Sequence, residues 1–109
     1  MNKENYSRPD AATVQRNLKV AQFEKLAREM ISTYEKKNHD YGDSFGLSIR
    51  KYGFVAALTR MSDKFNRIEN LMLNKDSKVV EESLIDSLKD LACYSIMTVM
   101  SLEDNAREN

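Results

Sequence analysis

Three carboxylates in the last third of the chain follow one another at four-residue spacing, at Glu82, Asp86 and Asp90. On an α-helix this spacing places all three near one line along the helix. Like charges four residues apart destabilise a helix by roughly 0.2–0.5 kcal/mol per pair, so we expect a compensating cation nearby. Magnesium fits that role because it takes oxygen ligands and is often held by one or two carboxylates together with substrate phosphates.

A row of cations precedes these acids in the sequence. Arg60, Lys64 and Arg67 are spaced by four and three residues, which places them on one face of a helix. Asp63 and Asn70 add a carboxylate and an amide to the same segment. The two rows together suit a polyphosphate, because the acids would hold a metal ion and either arginine would bind phosphate oxygens through paired hydrogen bonds. The alternative is a set of ordinary ion pairs between two helices, each contributing about 0–1 kcal/mol where exposed.

The segment from His39 to Asp43 is a second candidate site, since two aspartates flank a Tyr-Gly pair there. Glycine lets the backbone approach a ligand closely. Tyr41 offers a ring that would stack on a base, an interaction of about 1–3 kcal/mol in nucleic-acid binders. The alternative is a helix end that is capped by an aspartate turn.

Other chemistries lack the residues that they need. The single cysteine, Cys93, excludes an intrachain disulfide and a cysteine-based zinc site, and its place in an apolar helix predicts a buried, inert thiol. Neither a phosphate-binding glycine-rich loop nor a dinucleotide fingerprint occurs. Basic and acidic residues number 17 each, so the formal net charge is zero and neither nucleic acid nor a membrane surface is an expected partner.

Hydrophobic periodicity predicts three long helices and one short helix as the frame for these residues. The predicted helices cover residues 13–38, 47–52, 54–73 and 78–103. Thr13 is the expected N-cap of the first helix, and the segment Asn38–Gly46 is expected to be a turn. Gly53 suits a left-handed helix end. The third predicted helix carries the cations, and the fourth carries the acids.

These elements predict an all-α fold, a small antiparallel bundle in which a polar leader (residues 1–12) precedes a single helical domain (residues 13–103) and a frayed tail (residues 104–109). The last helix is apolar over more than half of its circumference in its second half. A monomer of 109 residues has little interior to bury that surface, so we expect a homodimer or a higher symmetric oligomer. The sequence shows no secretion signal and no apolar stretch near the 20 or so residues of a membrane span, which predicts a cytoplasmic protein.

Three segments of the chain, taken in order, resemble a known family. The segments are His39–Asp43, Arg60–Leu71 and Glu82–Tyr94. They resemble the nucleotide-modification-associated domain that is frequent in bacteriophage genomes, which combines an Asp-Tyr-Gly turn, an Asp-Lys-x-x-Arg helix and an Asp-x-x-x-Asp-Leu helix that ends in Tyr. The resemblance extends from about Glu35 to Met100, which is most of the chain, and it implies a location in the bacterial host cytoplasm if the protein is phage-encoded.

The family is distantly similar to the all-α nucleoside triphosphate pyrophosphatases, the MazG-like and dimeric dUTPase-like enzymes. Those helical oligomers bind magnesium with acids of two neighbouring helices and cleave a nucleotide between its α- and β-phosphates. By this resemblance Asp86 and Asp90 are the catalytic residues. Together with Glu82 and Asp63 they would bind Mg²⁺ or position the attacking water.

The same resemblance implies the nucleotide contacts. It assigns Lys64 and Arg67 to the phosphates and Tyr41 or Asp43 to the nucleoside end. The cation row and its neighbouring amide complete the predicted nucleotide-binding set, which is Tyr41, Asp43, Arg60, Lys64, Arg67 and Asn70.

The chain departs from the enzyme pattern in its acids. The pyrophosphatases carry Glu-x-x-Glu on one helix and Glu-x-x-Asp on the next, whereas Asp63 is followed here by Lys64 and Arg67, and the second pair has four-residue spacing. Cys93 stands where the family often has asparagine. Fewer acids and more cations favour holding a nucleotide over hydrolysing it with several metal ions.

Three functions are therefore predicted in turn. The first is Mg²⁺-dependent nucleoside triphosphate pyrophosphohydrolysis, in which metal-activated water attacks a phosphoanhydride. The second is a non-catalytic binder that sequesters a nucleotide or a cyclic-nucleotide signal, as a phage counter-defence protein would. The third is a helical interaction module without a small-molecule site, in which the charged rows form ion pairs.

Overall fold

The computed structural model of the protein describes Arg8 and residues 10–74 and 78–108, without the side chains of Asp40, Tyr41, Lys78, Val79 and Glu108. Four helices account for nearly all of this described part: α1 (Ala11–Tyr41), α2 (Ser44–Tyr52), α3 (Val55–Leu73) and α4 (Lys78–Glu108). No strand occurs among these residues. The predicted all-α class, with three long helices and a short one, is confirmed.

The chain divides into two compact units, Met1–Glu35 and Lys36–Asn109. Within the described residues the first unit is the greater part of α1. The second unit holds the end of α1 and the whole of α2, α3 and α4, so it contains every residue of the predicted site. The division into a leader, a helical domain and a tail stays a prediction.

Helix α1 begins two residues before its predicted start because a different residue caps it. The Thr13 N–H donates to Asp10 Oδ1 over 2.8 Å, so the aspartate satisfies one of the N–H groups that the first turn of a helix leaves unpaired. Asp10, and not Thr13, is therefore the capping side chain. The hydrogen bonds from Thr13 also hold the pKa of the Asp10 carboxyl below its ordinary value of 3.8.

We expect Asp10→Ala to speed hydrogen exchange of the Thr13 amide, because that amide loses its acceptor. Since the folded-state pKa of Asp10 is lowered, its capping contribution is present above the ordinary pKa of 3.8 and is lost as pH falls through the lowered value. Amide exchange followed by NMR measures the effect. Asp10→Asn, which keeps an acceptor oxygen, is the matched control and should retain most of the protection. Equal exchange rates in the alanine variant and the unmodified protein would contradict this assignment.

The predicted turn from Asn38 to Gly46 is wrong in length. Helix α1 continues through Tyr41, and α2 starts at Ser44, so only Gly42 and Asp43 connect them. Gly42 leaves the helix at φ +65°, in the left-handed region that glycine adopts without strain. Its N–H donates to Asn38 O over 2.8 Å, which closes the last turn of α1.

Helix α2 begins three residues earlier than predicted because Asp43 caps it. Asp43 Oδ1 accepts the Gly46 N–H over 3.1 Å. The left-handed conformation predicted at Gly53 is confirmed, with φ +82°, and the Gly53 N–H donates to Ile49 O over 2.7 Å. α3 then starts at Val55, one residue after its predicted start.

Helices α3 and α4 form an antiparallel pair. Met61, Lys64 and Arg67 of α3 contact residues of α4 that descend in number, namely Ser95, Asp90 and Ser87. α2 packs on the pair through Phe45 and Ile49, which form a buried core with Ala57 of α3. The Phe45 ring lies 5.2 Å from the Tyr94 ring of α4, measured between centroids, and this contact fixes α2 on the pair.

The apolar stripes are wider than the surfaces that cover them. On α3, Ile68 is buried as its stripe predicts, but Leu58 and Phe65 of the same stripe are 63% and 57% exposed. On α4, Ile96 and Val99 are likewise exposed. The only neighbours that α3 has within its unit in the described residues are short α2 and one face of α4, so part of each stripe stays in contact with solvent.

Helix α4 extends to Glu108, five residues past its predicted end. The residues from Asp104 onward are polar, but none is glycine or proline, so the sequence contains no stop signal there. The predicted connection over residues 74–77 lies outside the described residues except for Asn74, whose N–H donates to Leu71 O at the end of α3. None of the described helices combines the length and the apolar character that a membrane crossing requires.

Candidate functional site

The predicted cationic and acidic rows meet where α3 packs against α4. Lys64 Nζ lies 2.9 Å from Asp90 Oδ2, and the two side chains are 30% and 33% exposed. Partial burial strengthens such a pair relative to one in open water, because less water screens the two charges. The alternative of inter-helix ion pairs is therefore realised at this one pair.

Arg67 is held by a different kind of contact, one turn further along α3. Its Nε–H donates to Ser87 Oγ over 3.2 Å, and the Ser87 hydroxyl donates in turn to Ser83 O over 2.8 Å. Ser87 is only 2% exposed, whereas the arginine is exposed. A buried hydroxyl with both hydrogen bonds in place thus orients a guanidinium whose terminal nitrogens face solvent. We call Lys64, Arg67, Ser87 and Asp90 the seam site.

Only one of the three carboxylates of the acidic row reaches α3. Four residues turn a helix by 400°, so each step of the row rotates by about 40° around α4. Asp90 faces Lys64, while Asp86 and Glu82 turn progressively toward solvent and are exposed. The row is a spiral and not a straight line, which is why it does not neutralise the cationic row pair by pair.

The remaining predicted residues flank the seam site on one side. At 100° per residue, Arg60, Asp63 and Asn70 lie within about 60° of Arg67 around α3. All three are exposed, and they lie away from Met61, which contacts α4 on the other side of the helix pair. Asp86 lies within about 40° of Asp90 around α4. The structure therefore brings most of the predicted site to a single polar edge.

The acids of this edge suit magnesium only in part. Asp90 is engaged by Lys64, and no cluster of three or more His, Cys, Asp and Glu side chains that would hold a metal ion occurs among the described residues. Asp86 and Glu82 are exposed carboxylates, one turn apart on α4. One or two carboxylates suffice for a Mg²⁺ ion that arrives with substrate phosphates. Magnesium at Asp63, Glu82, Asp86 and Asp90 stays a prediction.

The second predicted site is not part of this edge. Asp43 caps α2 and lies 3.4 Å from Arg50, measured from Oδ2 to Nη2, so the alternative of a capped helix end describes its position. It lines a cleft whose α4 wall begins at Ser101. Ser101 is eleven residues beyond Asp90, or about 16 Å along the helix axis at 1.5 Å per residue. The Tyr41 side chain lies outside the described residues.

Two parts of the arrangement escape sequence reasoning. Ser87 looks like an ordinary polar interruption of an apolar helix, and only its burial at the helix contact shows that it holds Arg67. The cleft residues Asp104 and Arg107 fall in the predicted tail. The one available signal for them is the absence of glycine and proline after Leu102, which allows α4 to continue.

Cys93 reports on the electrostatics beside the seam site. Burial raises the pKa of its thiol, the negative charge of Asp90 raises that pKa further, and the charge of Lys37 partly offsets the rise. The thiol is half-buried, and the thiolate, which is the reactive form, is disfavoured. Cys93 therefore fits the predicted inert role better than that of a nucleophile.

We expect Asp90→Asn to increase the rate at which iodoacetamide alkylates Cys93 at pH 7.5 by roughly twofold. Removal of the carboxylate charge lowers the pKa of the thiol and so raises the thiolate fraction. Mass spectrometry of timed samples gives the rate, and Glu24→Gln, in the other unit of the chain, is the control for a change of net charge. An unchanged or slower rate in Asp90→Asn would show that the two groups do not interact.

Comparison with known proteins gives one match. The family model described as nucleotide modification associated domain 1 matches residues 37–102. These residues make up more than half of the chain and contain α2, α3 and most of α4, so the match includes the whole seam site. Neither a curated protein nor a solved structure matches the chain.

Proposed function

The chain belongs to the nucleotide modification associated domain 1 family, and from this premise we propose that it binds a nucleotide through phosphate contacts at the seam site. The observation that carries the proposal is the hydrogen-bonded series from Arg67 through buried Ser87 to the Ser83 carbonyl. Such a series fixes a guanidinium in one orientation before any ligand arrives, which reduces the entropy lost on binding.

The geometry leaves Arg67 the donors that phosphate recognition uses. A guanidinium carries five N–H groups, of which the Nε–H is engaged by Ser87. The terminal nitrogens carry the other four in a planar fork that matches two phosphate oxygens. Arg60, one face-turn earlier on α3 and exposed, supplies a second guanidinium to the same edge.

Lys64 and Asp90 set the charge of the site. Paired with each other, they contribute almost no net charge, so an anion meets chiefly the field of the two arginines. A phosphate that draws Lys64 away would leave Asp90 to bind a Mg²⁺ ion brought with the nucleotide. On this account magnesium strengthens binding of a di- or triphosphate more than that of a monophosphate.

A second candidate function is Mg²⁺-dependent pyrophosphohydrolysis, as in the MazG-like and dimeric dUTPase-like enzymes. It is favoured by Asp86, which lies exposed one turn from Asp90 on the same edge as the arginines. In this function Asp86 and Asp90 hold the metal ion, with Glu82 or Asp63 as a further ligand or water-orienting group. The bound metal would supply an activated water for attack on a phosphoanhydride.

A nucleotide panel with and without Mg²⁺ tests both candidates. For the binder, thermal unfolding shifts upward with a nucleotide and no product forms. A ligand at 100 times its dissociation constant adds about 2.7 kcal/mol to the free energy of unfolding. For the enzyme, pyrophosphate appears and is lost in Asp86→Ala and Asp90→Ala. No stabilisation by any nucleotide would contradict both candidates and leave the interaction module.

We also propose that the protein is a homo-oligomer in the host cytoplasm, where a nucleotide binder would capture a nucleotide or a cyclic-nucleotide signal. Support comes from large apolar side chains that are exposed on α1 and α4, for example Phe23 at 74% and Ile96 at 54%. A second copy of the chain would remove such surface from water. Light scattering that gives the mass of a single chain would contradict the oligomer and leave the nucleotide proposal in place.

A further inference from the structure

We propose that the cleft between α2 and the end of α4 is a second binding site, and that it takes a nucleoside monophosphate. The cleft has a volume of about 670 Å³, within the range of roughly 300–1,000 Å³ that small-molecule sites occupy. Its lining includes Asp43, Ile49, Arg50 and Phe54 on the α2 side and Asp104, Asn105 and Arg107 on α4.

Two guanidiniums provide the phosphate end of this site. Arg50 is oriented by Asp43, whose carboxylate is already engaged by the Gly46 N–H as well. Arg107, in the last turn of α4, is exposed, and no hydrogen bond or ion pair joins it to another residue in the described part of the chain. Two arginines, one on each wall, suit a doubly charged phosphate monoester, because each offers paired N–H donors.

The rest of the lining suits a flat ring that carries an amine. Ile49 is buried at the base of the cleft, and the half-buried Phe54 ring follows it at the end of α2. Aromatic and aliphatic side chains of this kind receive the face of a nucleobase by stacking. Asp104 and Asn105 supply acceptor oxygens for an exocyclic amine, and Asn105 also has an amide donor. Adenine and cytosine present such an amine.

The cleft is separate from the seam site. Its α4 wall begins about 16 Å along the helix from Asp90, and none of Lys64, Arg67, Ser87 and Asp90 lines it. The proposal therefore stands or falls independently of nucleotide binding at the seam.

Titration of ¹⁵N-labelled protein with 5′-AMP, followed by NMR, tests the second site. We expect saturable shifts of the backbone amides of residues 46–53 and 101–107. Arg107→Ala should weaken this response at least tenfold, and adenosine or inorganic phosphate should each bind at least tenfold more weakly than AMP. In Arg67→Ala the cleft amides should still respond, whatever happens at the seam. Arg28→Ala, an exposed arginine of α1, is the control for lost positive charge.

The outcomes that overturn the second site differ from those that overturn the seam proposal. If 10 mM AMP leaves the cleft amides unmoved, or if Arg107→Ala binds as tightly as the unmodified protein, the second site is wrong. Equal binding of inorganic phosphate and AMP would remove the nucleobase, and equal binding of adenosine and AMP would remove the two arginines. The amides of residues 60–70 and 83–90 report on the seam site in the same spectra.

Discussion

Replacing Arg67 by alanine is expected to weaken nucleotide binding about 30-fold. The substitution removes a charged fork of donors that Ser87 holds in position, and hydrogen bonds to charged groups contribute about 1.5–3 kcal/mol each. A loss of about 2 kcal/mol corresponds to a 30-fold change in the dissociation constant. Isothermal titration calorimetry with a nucleoside triphosphate in the presence of Mg²⁺ measures it.

Two further variants separate the charge of Arg67 from its orientation. Arg28→Ala removes an exposed arginine that pairs with Glu24 four residues away on α1, so it should leave the affinity unchanged. Ser87→Ala keeps the guanidinium and removes the hydroxyl that orients it, so an intermediate loss, of roughly threefold to tenfold, is expected. A result in which Arg67→Ala and Arg28→Ala bind alike would contradict phosphate recognition at the seam site.

Replacing Phe45 by alanine is expected to lower the free energy of unfolding by about 3 kcal/mol or more, a large part of the roughly 5–15 kcal/mol of a typical domain. Phe45 is 7% exposed and contacts the Tyr94 ring, and it is the residue through which α2 packs on the α3–α4 pair. Truncation leaves a cavity at the centre of the small core. Urea unfolding followed by circular dichroism gives the value.

Phe65→Ala is the matched control because the same side chain is removed from a position that is 57% exposed. Its expected cost is below about 1 kcal/mol. Comparable losses from Phe45→Ala and Phe65→Ala would mean that α2 does not supply the core. A large loss from Phe65→Ala alone would mean that the exposed stripe of α3 is covered in solution, as an oligomer would cover it.

The helices were predictable because their signals are local. Apolar residues recur every three or four positions through α3, and its bounds agree with the prediction to one residue. Gly53 marks a left-handed helix end that depends on its own backbone. The errors lie at helix ends, where one side chain decides: Asp10 and Asp43 each accept an N–H from three residues ahead, so the helices that they cap begin earlier than periodicity indicates.

The site was predictable only as a set of residues. The spacing of Arg60, Lys64 and Arg67 identifies a cationic face, but it does not show which member meets an acid and which meets a serine. That depends on the register between α3 and α4, a long-range property that no local pattern encodes. The 40° advance of the acidic row at each step further decides that Asp90 alone reaches Lys64.

The extent of burial was the least predictable property. Periodicity shows that a helix has an apolar face, but the area of its partner determines how much of that face is covered. α2 is a helix of nine residues, and it covers only the part of α3 and α4 that surrounds Ala57 and Tyr94. Leu58 and Val99 lie on predicted stripes and are nevertheless exposed.

The central claim is that a nucleotide phosphate contacts Arg67 at the seam, and the side-chain Nε–H resonance of that arginine tests it most directly. The signal is assigned by its absence from the spectrum of Arg67→Lys. On titration with a nucleoside triphosphate and Mg²⁺, we predict that this resonance shifts and saturates at the same concentration as the thermal stabilisation. An Nε–H signal that stays unmoved while the protein is saturated with nucleotide would contradict the claim.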